Sequence, residues 1–234
     1  MDVFKARLER LYEELSNGLK PPEAGNLLSI VKLICKLWDR RAVKSNHSVM
    51  EIVCAWHLIR QGYKVQVEVD LENDLICDLY AIKDGDSLIV EIETGFVPPE
   101  NAFDPLTYRL ARILGKVARY CSYTDFFALA TPPYHILQIP EFLVLDKEER
   151  SLRDGLRLKK IIDKYYKNPP VDLWDVMQSK VDFIYIVDVD QRQVYEFLPI
   201  EYFRKVLGCE LSLMKTTPLK DAFLTYYSPS ASTR

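Results

Sequence analysis

Apolar residues at Phe4, Leu8, Leu11, Tyr12 and Leu15 recur every three or four positions, the period of an amphipathic helix. Gly18 and Pro21-Pro22 close that run, and Leu27, Ile30, Val31, Leu33, Ile34, Leu37 and Trp38 predict a second helix over about 26–43. A third covers about 47–61, capped by Ser45 or Asn46 and ended by Gly62. Beyond it the period drops to two. Tyr63 to Leu71 alternates apolar and polar, a half-buried strand. Leu75 to Ile82 is nearly all apolar, the pattern of a strand covered on both faces. The tight turn Lys83-Asp84-Gly85-Asp86 then leads into a strand from Ser87 to Thr94.

The helical period returns at about 105–120, followed by a strand at Asp125 to Ala130. Residues 134–146 lack a period. A charged helix at about 147–167 is stopped by Asn168-Pro169-Pro170. A short helix near 172–179, strands at Phe183–Val189 and Val194–Phe197, and a helix from Pro199 to Leu207 come next, with a loose tail at the end. The expected class is α/β. Residues 1–44 are helices packed on a core, 45–133 form that core in the order αβββαβ, and 134–234 add an α+β extension.

The chain has 234 residues, 48% of them AVILMFWYC, which rules out disorder and allows a sizeable core. No run approaches the roughly 18 apolar residues of a membrane span, and the charged start lacks a signal peptide's apolar stretch. A cytoplasmic protein with no membrane partner is expected. Five cysteines without a C-x-x-C spacing give no zinc signature. The net charge of −3 speaks against a nucleic-acid binder until it is resolved along the chain. Residues 65–100 hold ten acidic residues against Lys83 alone, so the remainder is net positive. Basic side chains there form helical stripes: Lys32, Lys36, Arg40 and Lys44; Arg109, Arg112, Lys116 and Arg119; Arg150, Arg153, Arg157, Lys160 and Lys164. The second of these is the face expected to meet phosphates.

Acidic residues also fall where polar groups are least expected. Asp78 interrupts an apolar strand, where a lone carboxylate costs several kcal/mol to bury unless a cation meets it. Glu91 and Glu93 are two apart and share a strand face, with Leu88, Val90 and Ile92 on the other. If the hairpin pairs these strands, three carboxylates converge, and a hard divalent cation relieves their repulsion. Such an ion activates water and stabilises the leaving oxygen of a phosphodiester. His47, four residues before Glu51 on one helical face, reads as a helix-start surface histidine or as a neighbour of the site.

Glu51 in HSVMEIVCAWHLIRQGYKV, Asp78 in LICDLYAIKDG and Glu91 in LIVEIETG resemble, in order and spacing, the PD-(D/E)xK nuclease superfamily, especially its archaeal Holliday-junction-resolvase-like and RecB-like members. The likeness covers about 85–90 residues. It implies a restriction-endonuclease-like core and a Mg²⁺- or Mn²⁺-dependent (endo)nuclease acting on nucleic acid, DNA in the first place. Asp78 and Glu91 would bind the metal, with Glu51 completing the site. A homodimer is an allowed assembly. The family's E-x-K lysine is Glu93 here. Either Glu93 serves as base, as in the E-x-E of some type II restriction enzymes, or the cation has moved to the helix at 105–120. Of the Q-x-x-x-Y that RecB-like relatives carry on that helix, only Tyr120 matches. The other reading is a degenerate module that keeps the fold and binds nucleic acid or a protein partner.

Overall fold

The computed structural model describes residues 2–71 and 75–207. The expected tail, with Cys209, lies outside the described residues. Three helices come first: α1 (Val3–Ser16), α2 (Pro21–Asp39) and α3 (Ser45–Arg60). Pro21 and Pro22 do not close the first helix but open the second. Proline has no N–H to lose in a first turn and its φ is already helical. At α3 the residue before the first turn is Lys44, which makes no side-chain cap.

Strands β1 (Lys64–Asp70), β2 (Ile76–Lys83) and β3 (Asp86–Ile92) lead to α4 (Pro105–Tyr120) and β4 (Phe126–Thr131). Then come α5 (Leu152–Tyr165), α6 (Leu173–Gln178), β5 (Phe183–Asp188), β6 (Gln193–Phe197) and α7 (Pro199–Tyr202), the last running into a π-helical turn at Phe203–Leu207. The charged helix starts later than its pattern suggests. Lys147–Glu149 form a separate 3₁₀ turn, and the Ser151 side chain caps α5 by accepting from the Asp154 N–H.

The six strands form one mixed sheet in sequence order, β1 to β6. β1, β2 and β3 are antiparallel, β3, β4 and β5 are parallel, and β6 returns antiparallel to β5. Leu8, Leu27, Ile34, Ile52 and Leu58 of α1–α3 pack on one face against Val65, Val67, Leu79, Leu88, Val90 and Ile92. Leu110, Ile113 and Leu114 of α4, with Leu158 and Ile162 of α5, pack on the other against Ile89, Phe127, Leu129 and Ile184. The architecture is α/β, with helices on both faces of an open sheet. Among the described residues no helix is long and apolar enough to cross a membrane.

The apolar run in β2 is not covered on both faces throughout: Ile76 and Ile82 are exposed. It reads as continuous because the buried face changes partway. Leu79 and Ala81 face α1–α3, whereas Leu75 and Cys77 join the α4 side. β1 switches in step, with Val65 and Val67 on one side and Val69 and Leu71 on the other. Between these pairs the ladder runs from Val67↔Leu79 to Val69↔Cys77 and skips Glu68 and Asp78. Glu68 there has φ 50°, a left-handed conformation unusual for a side-chain-bearing residue in a strand.

Arg150 departs from its expected place in an exposed stripe. It is buried, and its guanidinium donates to the carbonyls of Leu145, Met177 and Ser179.

Candidate metal centre

β2 and β3 pair as far as Leu79↔Val90 and then part. Beyond that point carboxylates take over the bonding. The Asp78 N–H donates to Glu91 Oε1 at 3.0 Å, and the Ile92 N–H donates to Asp78 Oδ2 at 2.6 Å. Asp78 therefore sits in the opening of the sheet and reaches both helical layers. On the α3 side its Oδ1 is 3.1 Å from His47 Nε2. On the α4 side its Oδ2 is 3.5 Å from Lys116 Nζ.

Glu91 and Glu93 share the α4 face, as their spacing predicts. Lys116 Nζ lies 2.9 Å from a carboxylate oxygen of each and donates to the Ile92 carbonyl at 3.0 Å. Arg112 Nε donates to both oxygens of Glu93 at 2.9 Å. The stripe on α4 is thus turned inward: Arg109 Nε holds the Gly95 carbonyl at 3.0 Å, and Arg119 Nη2 holds that of Pro169 at 2.8 Å. Tyr120 donates its hydroxyl to the Ile76 carbonyl. Helix position explains this, because Arg109, Arg112, Lys116 and Arg119 flank the apolar stripe that packs on the sheet.

Glu51 is fully buried; no N–H donor is hydrogen-bonded to either oxygen, His47 Nε2 lies 3.4 Å from Oε1, and the carboxyl's hydrogen-bonding neighbour is that of Glu68. Its carboxyl is held well above the ordinary range, first by burial and then by the charges of Asp78, Glu68 and Glu91. Burial and the neighbouring Asp78 likewise push Glu91 up, to about 8. Burial acts in the same direction on Asp78 and Glu93 and is overcome in both. Lys116 and His47 hold Asp78 below its usual range, and Lys116 and Arg112 do so for Glu93. Lys116 is itself desolvated, yet the three carboxylates keep its ammonium charged well above the usual lysine range.

The site has two halves joined at Asp78. One is a saturated ion cluster of Glu91, Glu93, Lys116 and Arg112. The other is short of cations: His47, Glu51 and Asp78 bring one donor atom each to within 4.8 Å of one another, with Glu68 alongside. Two buried carboxyl oxygens that no N–H donor reaches can turn to a cation once the proton leaves, and this donor set fits a divalent ion such as Mg²⁺ or Mn²⁺. The imidazole is a donor that transition metals accept more readily than Mg²⁺.

Of the residues expected as ligands, Glu51 and Asp78 fall in this donor group. Glu91 instead turns its oxygens to the Asp78 N–H and to Lys116. Sequence reasoning passed over Glu68. It sits in an alternating strand like any solvated residue, and only the backbone reversal at its own position carries it toward Glu51. His47 did carry a signal, its four-residue spacing from Glu51. Comparison of the chain with protein-family models, with curated proteins and with solved structures finds no match.

Proposed function

We propose that the chain is a metal-dependent nuclease of the PD-(D/E)xK kind, with a restriction-endonuclease-like core, hydrolysing phosphodiester bonds of nucleic acid, DNA in the first place. The observation that carries this reading is the position of Lys116. It comes from α4, yet its ammonium rests on Glu91 and Glu93 and beside Asp78. It supplies from a neighbouring helix the cation that Glu93 replaces in the E-x-K pattern. The order of α3, three antiparallel strands, α4 and a parallel β4 supports the same reading.

A bound Mg²⁺ or Mn²⁺ would supply Lewis acidity toward the phosphate and a more acidic water. His47, Glu51 and Asp78 would hold it. Lys116, kept charged by its carboxylates, offers positive charge to the scissile group rather than acting as a base. Glu93 is clamped by Lys116 and Arg112, so its work is to position Lys116. Glu91, raised to about 8, can take up a proton near neutral pH.

The test is cleavage of branched, single-stranded and duplex DNA and of RNA, each with Mn²⁺, Mg²⁺ or EDTA. The wild-type protein should cut at least one in metal and none in EDTA. Asp78→Asn and Lys116→Ala should each lose about 100-fold or more in rate. No cleavage of any substrate, or wild-type rates in Asp78→Asn, would overturn the assignment.

A further inference from the structure

We propose that the loop leaving β3 gives the site a stacking platform for an unpaired nucleobase, so that the preferred strand is single-stranded or locally unpaired; this rests on the nuclease reading for the fate of that strand. Large aromatic side chains are exposed on the two loops at the ends of the parallel strands β3 and β4. Phe96 is 54% exposed, Phe103 fully so, and Tyr134 81%. Phe96 is the fixed one. It follows Gly95, whose φ of 76° suits glycine, and a Cβ there would lie 2.5 Å from His135 Nδ1. Arg109 holds the Gly95 carbonyl from the other side. Tyr134 adjoins His135, so the two rings leave the chain next to a pair of contacting residues.

Both elements that build the site also border Phe96. Lys44 Nζ stands 4.8 Å from the Phe96 ring centroid, and three residues later α3 presents His47 to Asp78. Arg109 precedes Arg112, which grips Glu93, by one helical turn. A ring with a lysine ammonium over it, joined through Lys44 and Gly95 to the two helices that carry His47 and Lys116, matches a nucleotide in two ways. The ring offers a face to the base, and Lys44 offers charge to the phosphate. Base pairs in a duplex have no free face to give. A protein partner would not need a lysine ammonium set over the ring.

The experiment is fluorescence titration of a 2-aminopurine-containing oligonucleotide, single-stranded and as a duplex, in Ca²⁺ with strand integrity checked on a gel. Single strand should bind with quenching that reports stacking. Phe96→Ala, with an unchanged thermal melt, should weaken single-strand binding about tenfold and duplex binding less than about twofold. Phe96→Trp should restore it. Equal losses on both strands, single-strand affinity within twofold of wild type in Phe96→Ala, or no single-strand binding by the wild-type protein would overturn the proposal. Binding through Phe96 without cleavage of any substrate would overturn the nuclease reading and leave this one standing. Cleavage of subsaturating single-stranded DNA at the wild-type rate by Phe96→Ala would do the reverse.

Discussion

Replacing Glu51 by Gln should stabilise the protein without metal and weaken it with metal. The side chain is fully buried, no N–H donor is hydrogen-bonded to its oxygens, and its hydrogen-bonding neighbour is another carboxyl, Glu68, so ionising it there has little local compensation. Gln keeps the shape and removes the charge. Leaving a buried polar group unsatisfied costs about 1–3 kcal/mol, and more when it is charged. A gain of about 2 kcal/mol in the variant is therefore expected near pH 8, or about 4–8 °C in melting temperature for a chain of this size. The pH dependence follows in sign. Because burial and the neighbouring carboxylates raise the folded-state pKa, native and unfolded chains are both protonated at low pH and the variant gains nothing. Above the ordinary glutamate value, about 4.3, the unfolded chain ionises first, and the wild-type protein loses stability as pH rises toward the folded-state pKa. Mn²⁺ should reverse the order. At about 100 times its dissociation constant an ion adds about 2.7 kcal/mol to the wild-type protein, and the variant, one ligand short, should gain less. Calorimetric melts at pH 5 and pH 8, in EDTA and in Mn²⁺, give the four numbers. A lower melting temperature for Glu51→Gln in EDTA at pH 8 would refute the reasoning, since it would mean that the carboxylate is a structural partner.

Lys116→Met should cost about 3–5 kcal/mol in urea unfolding at pH 8, because Asp78, Glu91 and Glu93 lose their shared cation; a loss below about 1 kcal/mol would contradict the ion-cluster description. The backbone at Glu68 can be separated from its charge. Glu68→Gly and Glu68→Ala both remove the carboxylate, but only glycine relieves the left-handed φ, so the glycine variant should be more stable by about 1 kcal/mol. Equal stabilities would show that the conformation carries no strain.

The chemistry-bearing pairs were legible where local rules decide. The helix at 105–120 stands at Pro105–Tyr120, since its proline start and apolar period leave little choice. The alternation of β3 placed Glu91 and Glu93 on one face, and the Lys83–Asp86 turn set the register that brings Asp78 beside Glu91. Illegible were the features that depend on breaking a local rule. Nothing in YKVQVEVDL announces that the strand reverses its faces at Glu68, because valine precedes and follows with the same period. Pro21-Pro22 has the opposite problem, one signal with two meanings, and the packing of Leu27 and Ile30 decides for the start of a helix.

That face switch is what makes the centre possible. In an unbroken hairpin the pair Glu68 and Asp78 would be locked into the ladder, and α3 and α4, on opposite sides of the sheet, could not share a side chain. With the ladder skipping this position and β2 leaving β3 after Leu79, the Asp78 carboxylate lies in the gap. There it accepts from the Ile92 N–H and touches His47 from one layer and Lys116 from the other. The arrangement gives up ladder hydrogen bonds, adopts a left-handed Glu68 and buries Glu51 against other carboxyls. An apolar pair at 68 and 78 with leucine at 51 would avoid all three costs. A cation held between the layers would remove the largest of them, which is the physical reason for such a gap to persist in a folded chain.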